Sequence, residues 1–549
     1  MAPIRLAMVQ TNPVVGAISA NLDEIFAQVR LAAAEGAKIV VFGEMATTGY
    51  PIEDLAQRES FVVAAESAIA ALATRLSDAG LGNLYVLVGH PALASEPNGW
   101  AIAQNSASVL HGGKVIGRYA KQHLPNYSVF DEYRVFVPGT DALTFEVDGT
   151  RFGVLICEDI WQSGGPVAML RDANIDVALV LNGSPFELGK QATREDLVTG
   201  LAADLDATVV YVNLCGGQDD LVFDGASLAA GPDGKVVARA RAFDPDRLVL
   251  ELEGNKVTKV EGNHHADASD LALVWRALEI GLRDYVNKNG FPSVILGLSG
   301  GIDSAVCAAL AVDALGPDRV FGVSLPSRYS SDHSKSDAFD LAARLGMQIR
   351  TEAIGDMVQV AEDQLKLTDL SAENLQARIR GLTLMSLSNS EGHLTLTTGN
   401  KTELAVGYST IYGDSVGGYA PIKDVAKTMV WELAKWRNSV AEAMGQVGPI
   451  PENSISKPPS AELRPGQLDQ DSLPEYDLLD ALLEKYIDER LGRAEIIAAG
   501  FEPAVVDRVI GLVDRAEWKR RQGAIGPKIT GMAFGRDRRH PITNRYREI

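Results

Sequence analysis

Residues 295 to 304 read Ile-Leu-Gly-Leu-Ser-Gly-Gly-Ile-Asp-Ser, and the fold of the second half of the chain is decided in this stretch. The apolar run from Ser293 to Leu298 predicts a buried strand. It breaks at Ser299-Gly300-Gly301, and Ala305-Val306-Cys307-Ala308-Ala309-Leu310-Ala311 then predicts a helix. A strand, a glycine turn and a helix start make a phosphate cradle. Backbone N–H groups left free at the helix start face an anion, and glycines let it come close. The Gly-Lys-Ser/Thr ending of a Walker A loop is absent, so the loop does not predict hydrolysis of a γ-phosphate. Asp303 is placed to hold Mg²⁺ against a pyrophosphate instead. From the pattern alone, a plain glycine turn between strand and helix is the alternative.

Outward from this loop, composition sets the bounds. At 549 residues the chain exceeds one core, and its length predicts about two to four domains. A formal net charge of −21 argues against a nucleic-acid partner, whose phosphates would be repelled. The three cysteines, Cys157, Cys215 and Cys307, are too few and too widely spaced for a disulfide framework or a Cys-x₂-Cys zinc site, and a reducing cytoplasm fits best. Cys215 and Cys307 are read as core thiols. The N-terminus lacks the apolar region of a signal peptide, and no run reaches the length of a membrane span. A cytoplasmic protein with no membrane partner is expected.

Two α/β patterns follow one another. From Ile4 to about Leu252, predicted strands (Arg5–Gln10, Ile39–Phe42, Tyr85–Gly89, Ala107–His111, Phe152–Cys157, Val177–Leu181, Val209–Leu214, Leu248–Leu252) alternate with Ala-rich amphipathic segments such as Asn21–Ala34 and Phe61–Leu76. A polar, unpatterned stretch is read as a linker. The division is 1–260 for the first domain, 261–270 for the linker and 271–549 for the second domain. The second pattern opens with a helix from Leu271 to Asn287, then the glycine loop at the C-terminal end of its strand, where parallel sheets bind ligands. Leu394–Thr398 predicts a further strand. The Pro-, Ser- and Gly-rich stretch 449–472 predicts a long functional loop or lid. The last thirty residues are basic and irregular.

Three segments of the first half carry chemistry. Val41-Phe42-Gly43-Glu44 is a strand delivering a glutamate. Tyr119-Ala120-Lys121 delivers a lysine, with Glu132 shortly after. Gly153-Val154-Leu155-Ile156-Cys157 puts a cysteine at a strand tip. Alone, such a cysteine is more often inert core. In this order, the three segments resemble the nitrilase (carbon–nitrogen hydrolase) superfamily. That resemblance implies Glu44 as general base, Lys121 as oxyanion stabiliser and Cys157 as nucleophile. The chemistry agrees: the thiolate is the reactive form, a carboxylate must take its proton, and the tetrahedral oxyanion needs a fixed positive group. Glu132 either orients Lys121 or is a surface charge. The glutaminase members of that family place substrate near Tyr127, Glu158, Ser184 and Lys190; in structural terms, Tyr127 is equally a packing residue and Ser184 a turn residue.

In the second half, the glycine loop resembles the SGGxDS signature of N-type ATP pyrophosphatases. These enzymes adenylate an oxygen and release pyrophosphate before a nucleophile displaces AMP. With ENLQARIRG from Glu373, TTGNKTELAVGY from Thr397, YGD at 412–414, KPPSAEL from Lys457 and SLPEYDLLD from Ser472, the chain resembles the glutamine-dependent, two-domain NAD⁺ synthetase family over nearly its full length. The resemblance implies an α/β fold in two parts: a nitrilase-like αββα sandwich, and a doubly wound parallel sheet of the adenine nucleotide α-hydrolase kind. It implies an ATP site of Gly297, Leu298, Ser299, Gly300, Gly301, Ile302, Asp303, Ser304, Thr398, Lys427 and Ser460. Asn374, Glu403 and Lys519 would contact deamido-NAD⁺, and Asp303 with Glu403 would hold Mg²⁺. One departure is that ammonia-only relatives carry lysine where Ile411 stands, so not every substrate contact transfers. Glutamine, ATP and deamido-NAD⁺ are the expected small-molecule substrates. Ammonia is expected to pass between the sites, and the chain to form a large homo-oligomer such as an octamer. Two rivals remain at this point: an amidating adenylase acting on another carboxyl substrate, and a nitrilase-like domain tethered to a nucleotide sensor.

Overall fold

Apolar strands that must be covered on both faces determine the layering. In the computed structural model, which describes residues 3–264, 268–464 and 466–546, the chain forms two units, Met1–Ala268 and Ser269–Ile549. Strand Val177–Asn182 is buried along its whole length, as a central parallel strand should be. It lies between Thr150–Ile156 and Thr208–Asn213 in a six-stranded sheet with antiparallel edges. A seven-stranded sheet is built around Ile4–Gln10, Ile39–Val41 and Tyr85–Asn98, again parallel at its centre.

The inner faces of the two sheets share one core. Leu6, Met8, Val41 and Leu87 of the first meet Val154, Ile156, Leu179 and Val212 of the second. Helices Ile18–Ala34 and Glu59–Asp78 cover the outer face of the seven-stranded sheet through Ile25, Val29, Ile69 and Leu72. Helices Gly165–Asp172 and Lys190–Leu205 cover the other through Leu170, Val198 and Ala202. The result is the expected αββα sandwich. Glu59–Asp78 is long and apolar enough to cross a membrane by length and composition, the one such helix among the described residues. Here its apolar face packs on the sheet.

Several boundaries move. The strand expected to run through Cys157 ends at Ile156, and Cys157 opens a short 3₁₀ turn. Strands Lys114–Ala120 and Leu143–Val147 are additional, at the two sheet edges. Glu261, placed in the linker, still pairs with Val249, and Asp270 already begins the helix Asp270–Lys288, capped by Ser269. Of the expected linker, His265, Ala266 and Asp267 lie outside the described residues.

The second unit holds a four-stranded parallel sheet in the order Gln348–Thr351, Val320–Ser324, Val294–Gly297, Leu394–Thr395. The chain moves outward from Val294–Gly297 on one side, then returns to its other side at Leu394. That reversal opens a crevice at the strand C-termini. Helices Gly355–Leu365 and Asp369–Glu391 pack Val358, Ile379 and Leu384 on Ile295 and Val323. Helix Ile302–Leu315, apolar along most of its length, is largely buried with Cys307 inside it. The expected strand Leu394–Thr398 keeps only two ladder residues, after which Leu396 makes a single bridge to Tyr419. The basic C-terminal stretch has little regular structure but is anchored: Arg538 pairs with Glu517 at 3.1 Å and Lys528 with Asp537 at 3.1 Å.

The first unit also encloses a neutral imidazole. His90 Nδ1–H donates to the Pro91 carbonyl at 3.0 Å, and Nε2 accepts from Ser108 Oγ at 2.8 Å. Burial pulls its pKa from 6.5 to about 4. The unfolded chain therefore binds a proton below pH 6.5 that the fold refuses, so His90 favours folding above 6.5 and this contribution drains as pH falls toward 4. Between pH 6.5 and 5 it should remove about 2 kcal/mol of stability. Denaturant unfolding across that range should show the loss in the natural chain and a flatter profile in His90→Gln.

Candidate functional site

Two centres form, one in each unit. In the first, the turn after Ile156 puts Cys157 at φ +42°, a left-handed conformation that a non-glycine residue adopts at a cost. The thiol is buried. Burial pushes its pKa up strongly, Glu44 adds to the rise and Lys121 opposes it. Ionisation here therefore needs a nearby proton acceptor and a counter-charge.

Both are adjacent. Glu44 follows strand Ile39–Val41, and strand Tyr85–Asn98 passes so close beneath it that a Cβ on Gly89 would sit 2.4 Å from the Met45 nitrogen. Only glycine permits that approach. Lys121, fully buried after strand Lys114–Ala120, donates from Nζ to Glu44 Oε1 at 2.9 Å and to Glu132 Oε1 at 3.0 Å. The Gly183 N–H donates to Glu44 Oε2 at 2.7 Å. Tyr50 OH donates to Glu132 Oε1 at 2.8 Å. Burial works against the Lys121 ammonium, but Glu132 and Glu44 outweigh it and hold its pKa well above the usual lysine range. Glu132 is pushed up to about 7 by burial, with Lys121 opposing and Glu44 adding. A surface role for Glu132 is thereby excluded, since its carboxylate is buried against the lysine.

A residue without a local sequence signal ties these parts together. Asp159 Oδ1 accepts the N–H groups of Gln122 (3.1 Å) and His123 (2.9 Å), immediately after Lys121. Its Oδ2 accepts the Ile156 N–H (2.9 Å) and Tyr119 OH (2.7 Å), beside Cys157 and Lys121 in sequence. One carboxylate thus fixes both the lysine segment and the cysteine turn.

Around this cluster, Tyr127, half exposed and so not a core packing residue, donates its OH to buried Glu158 Oε2 at 2.9 Å. Ser184 is buried next to Gly183, and its Oγ accepts from Arg194 Nε at 3.2 Å. Arg194, unremarkable in the sequence, is buried against Asp224 at 2.7 Å and donates to the carbonyls of Ser184 (3.1 Å) and Pro185 (2.7 Å). That arrangement pins the loop carrying Gly183 and Ser184. The Lys190 ammonium lies 5.9 Å from the Trp161 ring centroid.

In the second unit the crevice above the glycine loop is a pocket of about 460 Å³. Gly297, Leu298, Ser299, Gly301, Ile302, Asp303, Ser304, Thr398, Lys427, Ser460, Asn374, Glu403 and Lys519 all line it. Gly300 stands just behind, with φ +78° and its carbonyl accepting from Ser454 Oγ at 3.1 Å. A Cβ there would lie 2.5 Å from the Ser334 carbonyl oxygen.

Lys427, buried at the start of helix Lys427–Ala443, bonds to Asp303 Oδ2 and reaches Glu403 Oε1 at 3.3 Å. Asn400 Nδ2 donates to Asp303 Oδ1 at 2.8 Å while its Oδ1 accepts the Glu403 N–H at 2.9 Å. Burial lowers the Lys427 ammonium's pKa, but Asp303 and Glu403 outweigh this and hold it above the usual range. Glu403 is pushed up to about 8 by burial, with Lys427 opposing and Asp303 adding. With two carboxylates around one ammonium, this cluster is short of positive charge. Two hard carboxylate donors on one pocket fit Mg²⁺, but among the described residues no three His, Cys, Asp or Glu side chains enclose a metal. A cation here must take its remaining oxygens from phosphates and water, as Mg²⁺ commonly does.

The stretch 449–472, expected as a long functional loop or lid, contains a short helix, Glu452–Ser456, and borders the pocket. Lys457, Pro458, Pro459, Ser460, Ala461, Glu462 and Leu463 line it, and Glu462 Oε1 accepts from Ser334 Oγ (2.6 Å) and Lys457 Nζ (2.8 Å). Asn374 Oδ1 accepts from Thr410 Oγ1 at 2.8 Å, and Lys519 Nζ donates to the carbonyls of Gly407 and Ser409 at 2.9 Å each. Asp414 and Arg380, given no role in the sequence reading, also face the pocket.

Comparison with known proteins agrees with this division. Residues 5–259 match the carbon–nitrogen hydrolase family model and residues 274–523 the NAD synthase model. The glutamine-dependent NAD(+) synthetase of Acinetobacter baylyi is 44% identical, the alignment covering 100% of this chain and 99% of that one. The structure of the Acinetobacter baumannii glutamine-dependent NAD+ synthetase in complex with adenosine diphosphate is 43% identical, with a TM-score of 0.77 over 99% of both chains. That of Cytophaga hutchinsonii, at 23% identity, shares the fold with a TM-score of 0.83 over 99% of this chain and 98% of that one. With two matched halves and relatives aligned from end to end, the chain belongs to the glutamine-dependent NAD(+) synthetase family.

Proposed function

We propose that the chain makes NAD⁺ in two linked reactions. In the first unit Cys157 attacks the side-chain amide carbon of glutamine. Glu44 takes the thiol proton and passes it to the departing nitrogen, which leaves as ammonia. Lys121, held between Glu44 and Glu132, faces the negative oxygen of the tetrahedral intermediate. Water, deprotonated by Glu44, then hydrolyses the γ-glutamyl thioester. Tyr127, Glu158, Ser184 and Lys190 bind the amino acid.

In the second unit the loop from Gly297 to Ser304, with Thr398, Lys427 and Ser460, binds ATP. Asn374, Glu403 and Lys519 hold deamido-NAD⁺ so that its nicotinate carboxylate faces the α-phosphorus. Lys427 and the loop N–H groups neutralise pyrophosphate as it leaves, and ammonia then displaces AMP from the acyl adenylate. Asp303 and Glu403 would hold Mg²⁺, whose bound charge offsets that of the phosphates. Ammonia released into water would mostly become ammonium and lose its nucleophilic lone pair, so a protected passage between the centres belongs to this reading, as does a homo-oligomer. The observation that carries it is that Asp303, Glu403 and Lys427 converge on the crevice above the glycine loop in a chain that also holds Glu44 and Lys121 beside Cys157.

Three variants test the division of labour, each assayed with glutamine and, separately, with ammonium as nitrogen donor. Cys157→Ala should lose glutamine-dependent NAD⁺ formation by about a thousandfold or more while ammonium still supports synthesis. Loss of both would refute separate centres. Asp303→Ala should stop synthesis from either donor and leave glutamine hydrolysis measurable; normal turnover would remove Asp303 from the ATP site. Gly300→Ala, whose new methyl meets the Ser334 carbonyl, should raise the KM for ATP by about tenfold with both donors. An unchanged KM would show that the loop backbone does not cradle the nucleotide.

A further inference from the structure

Asn105 lies in strand Ala101–His111 and is 1% exposed. Its Nδ2 donates to Glu44 Oε1 at 2.6 Å, and its main-chain carbonyl accepts the Lys121 N–H at 2.8 Å. The residue is therefore keyed to the base and to the lysine at once. Its own Oδ1 is buried with no hydrogen-bond partner among the described residues. A buried, unmatched acceptor costs stability, so packing alone does not account for an amide here. Reversing the amide would set Oδ1 against a carboxylate oxygen, so the orientation with Nδ2 toward Glu44 is the one the contact requires.

The acceptor count at Glu44 sharpens this. An ionised carboxylate offers about four lone-pair sites. Oε1 receives Lys121 Nζ and Asn105 Nδ2, and Oε2 receives the Gly183 N–H. Three are filled, and the free one is on Oε2.

We propose that Asn105 is a positioning residue of the amide-cleaving centre. By filling Oε1 together with Lys121, it keeps Glu44 ionised and directs the proton of Cys157 to Oε2. The S–H bond breaks as the O–H bond forms on Oε2, and the same proton later leaves with ammonia, so Glu44 ends the acylation ionised as it began. This rests on the assignment of Cys157 and Glu44 made under Proposed function.

The test is the pH dependence of glutamine hydrolysis in the full-length enzyme. Asn105→Leu keeps the side-chain size and removes the donor. Its kcat should fall about 10- to 100-fold with KM changed less than about twofold, and the acid limb of the profile should move up by about one pH unit. Asn105→Asp puts a second carboxylate against Oε1 and should move that limb further still. This ordering, natural chain below Leu below Asp, is one that a merely structural role would not produce. Ammonium-supported synthesis serves as the internal control, and if the leucine variant does not fold, the aspartate variant alone decides. An unmoved acid limb, or an effect on KM alone, would overturn the proposal. Cys157→Ala is run in parallel. If it still hydrolyses glutamine, the assignment of the centre fails; if it is dead while the limb stays put, only the role of Asn105 fails.

Discussion

A buried ammonium between two buried carboxylates is the constraint on which the first unit's chemistry depends. Lys121 and Glu44 are fully buried and Glu132 nearly so. A charged group in an apolar interior needs an opposite charge within hydrogen-bond reach, and here Lys121 serves both carboxylates. Removing Lys121 would leave two buried carboxylates uncompensated, and breaking a buried pair in this way costs about 3–5 kcal/mol. The cluster carries one negative charge in excess when both carboxylates are ionised; burial above all raises the Glu132 pKa to about 7, and the neighbouring Glu44 adds to the rise. A thiolate at Cys157 would add another negative charge. In the proposed acylation, the proton leaving sulfur is therefore driven onto a carboxylate.

The second unit uses the same device with the balance set differently. Lys427 stands between Asp303 and Glu403 as Lys121 stands between Glu44 and Glu132. In both, two acids share one base, and one acid is pushed toward neutral pH or above. The first centre resolves its surplus internally, by moving a proton between groups already present. The second opens onto a pocket of about 460 Å³, where charge can be brought in. There the surplus suits a cation that arrives with phosphates, and Lys427 secures the carboxylates in its absence.

Much of this arrangement was legible in the sequence, because the candidate residues sit where regular strands end. Glu44, Lys121 and Cys157 each follow a strand, and the glycine loop joins Val294–Gly297 to Ile302–Leu315. Parallel strands deliver their C-terminal ends to one edge, so residues at such ends are brought together from distant parts of the chain. What stayed hidden was held by tertiary contact alone. Strand Lys114–Ala120 is a largely solvated edge with no clean alternation. The two-residue strand at Leu394 depends on its neighbours for its register. Asp159 reads as one acid among many, and its four hydrogen bonds run to residues 3 to 40 positions away. Arg194 looks like a solvated helix residue until Asp224, thirty residues on, buries it.

The residues that escaped the sequence reading share a role. Asp159, Arg194 and Asn400 all bond to backbone or to another functional side chain, and each fixes a segment that the strand ends alone would leave free to move. A catalytic group misplaced by about an ångström can lose about a hundredfold in rate, so such fixing matters as much to turnover as the reacting groups themselves. These fixing contacts run over intervals from 3 to 97 residues and share no common period. Periodicity therefore cannot reveal them. Strand ends show where the reacting groups gather, and the polar network that orients them has to be read from contacts in three dimensions.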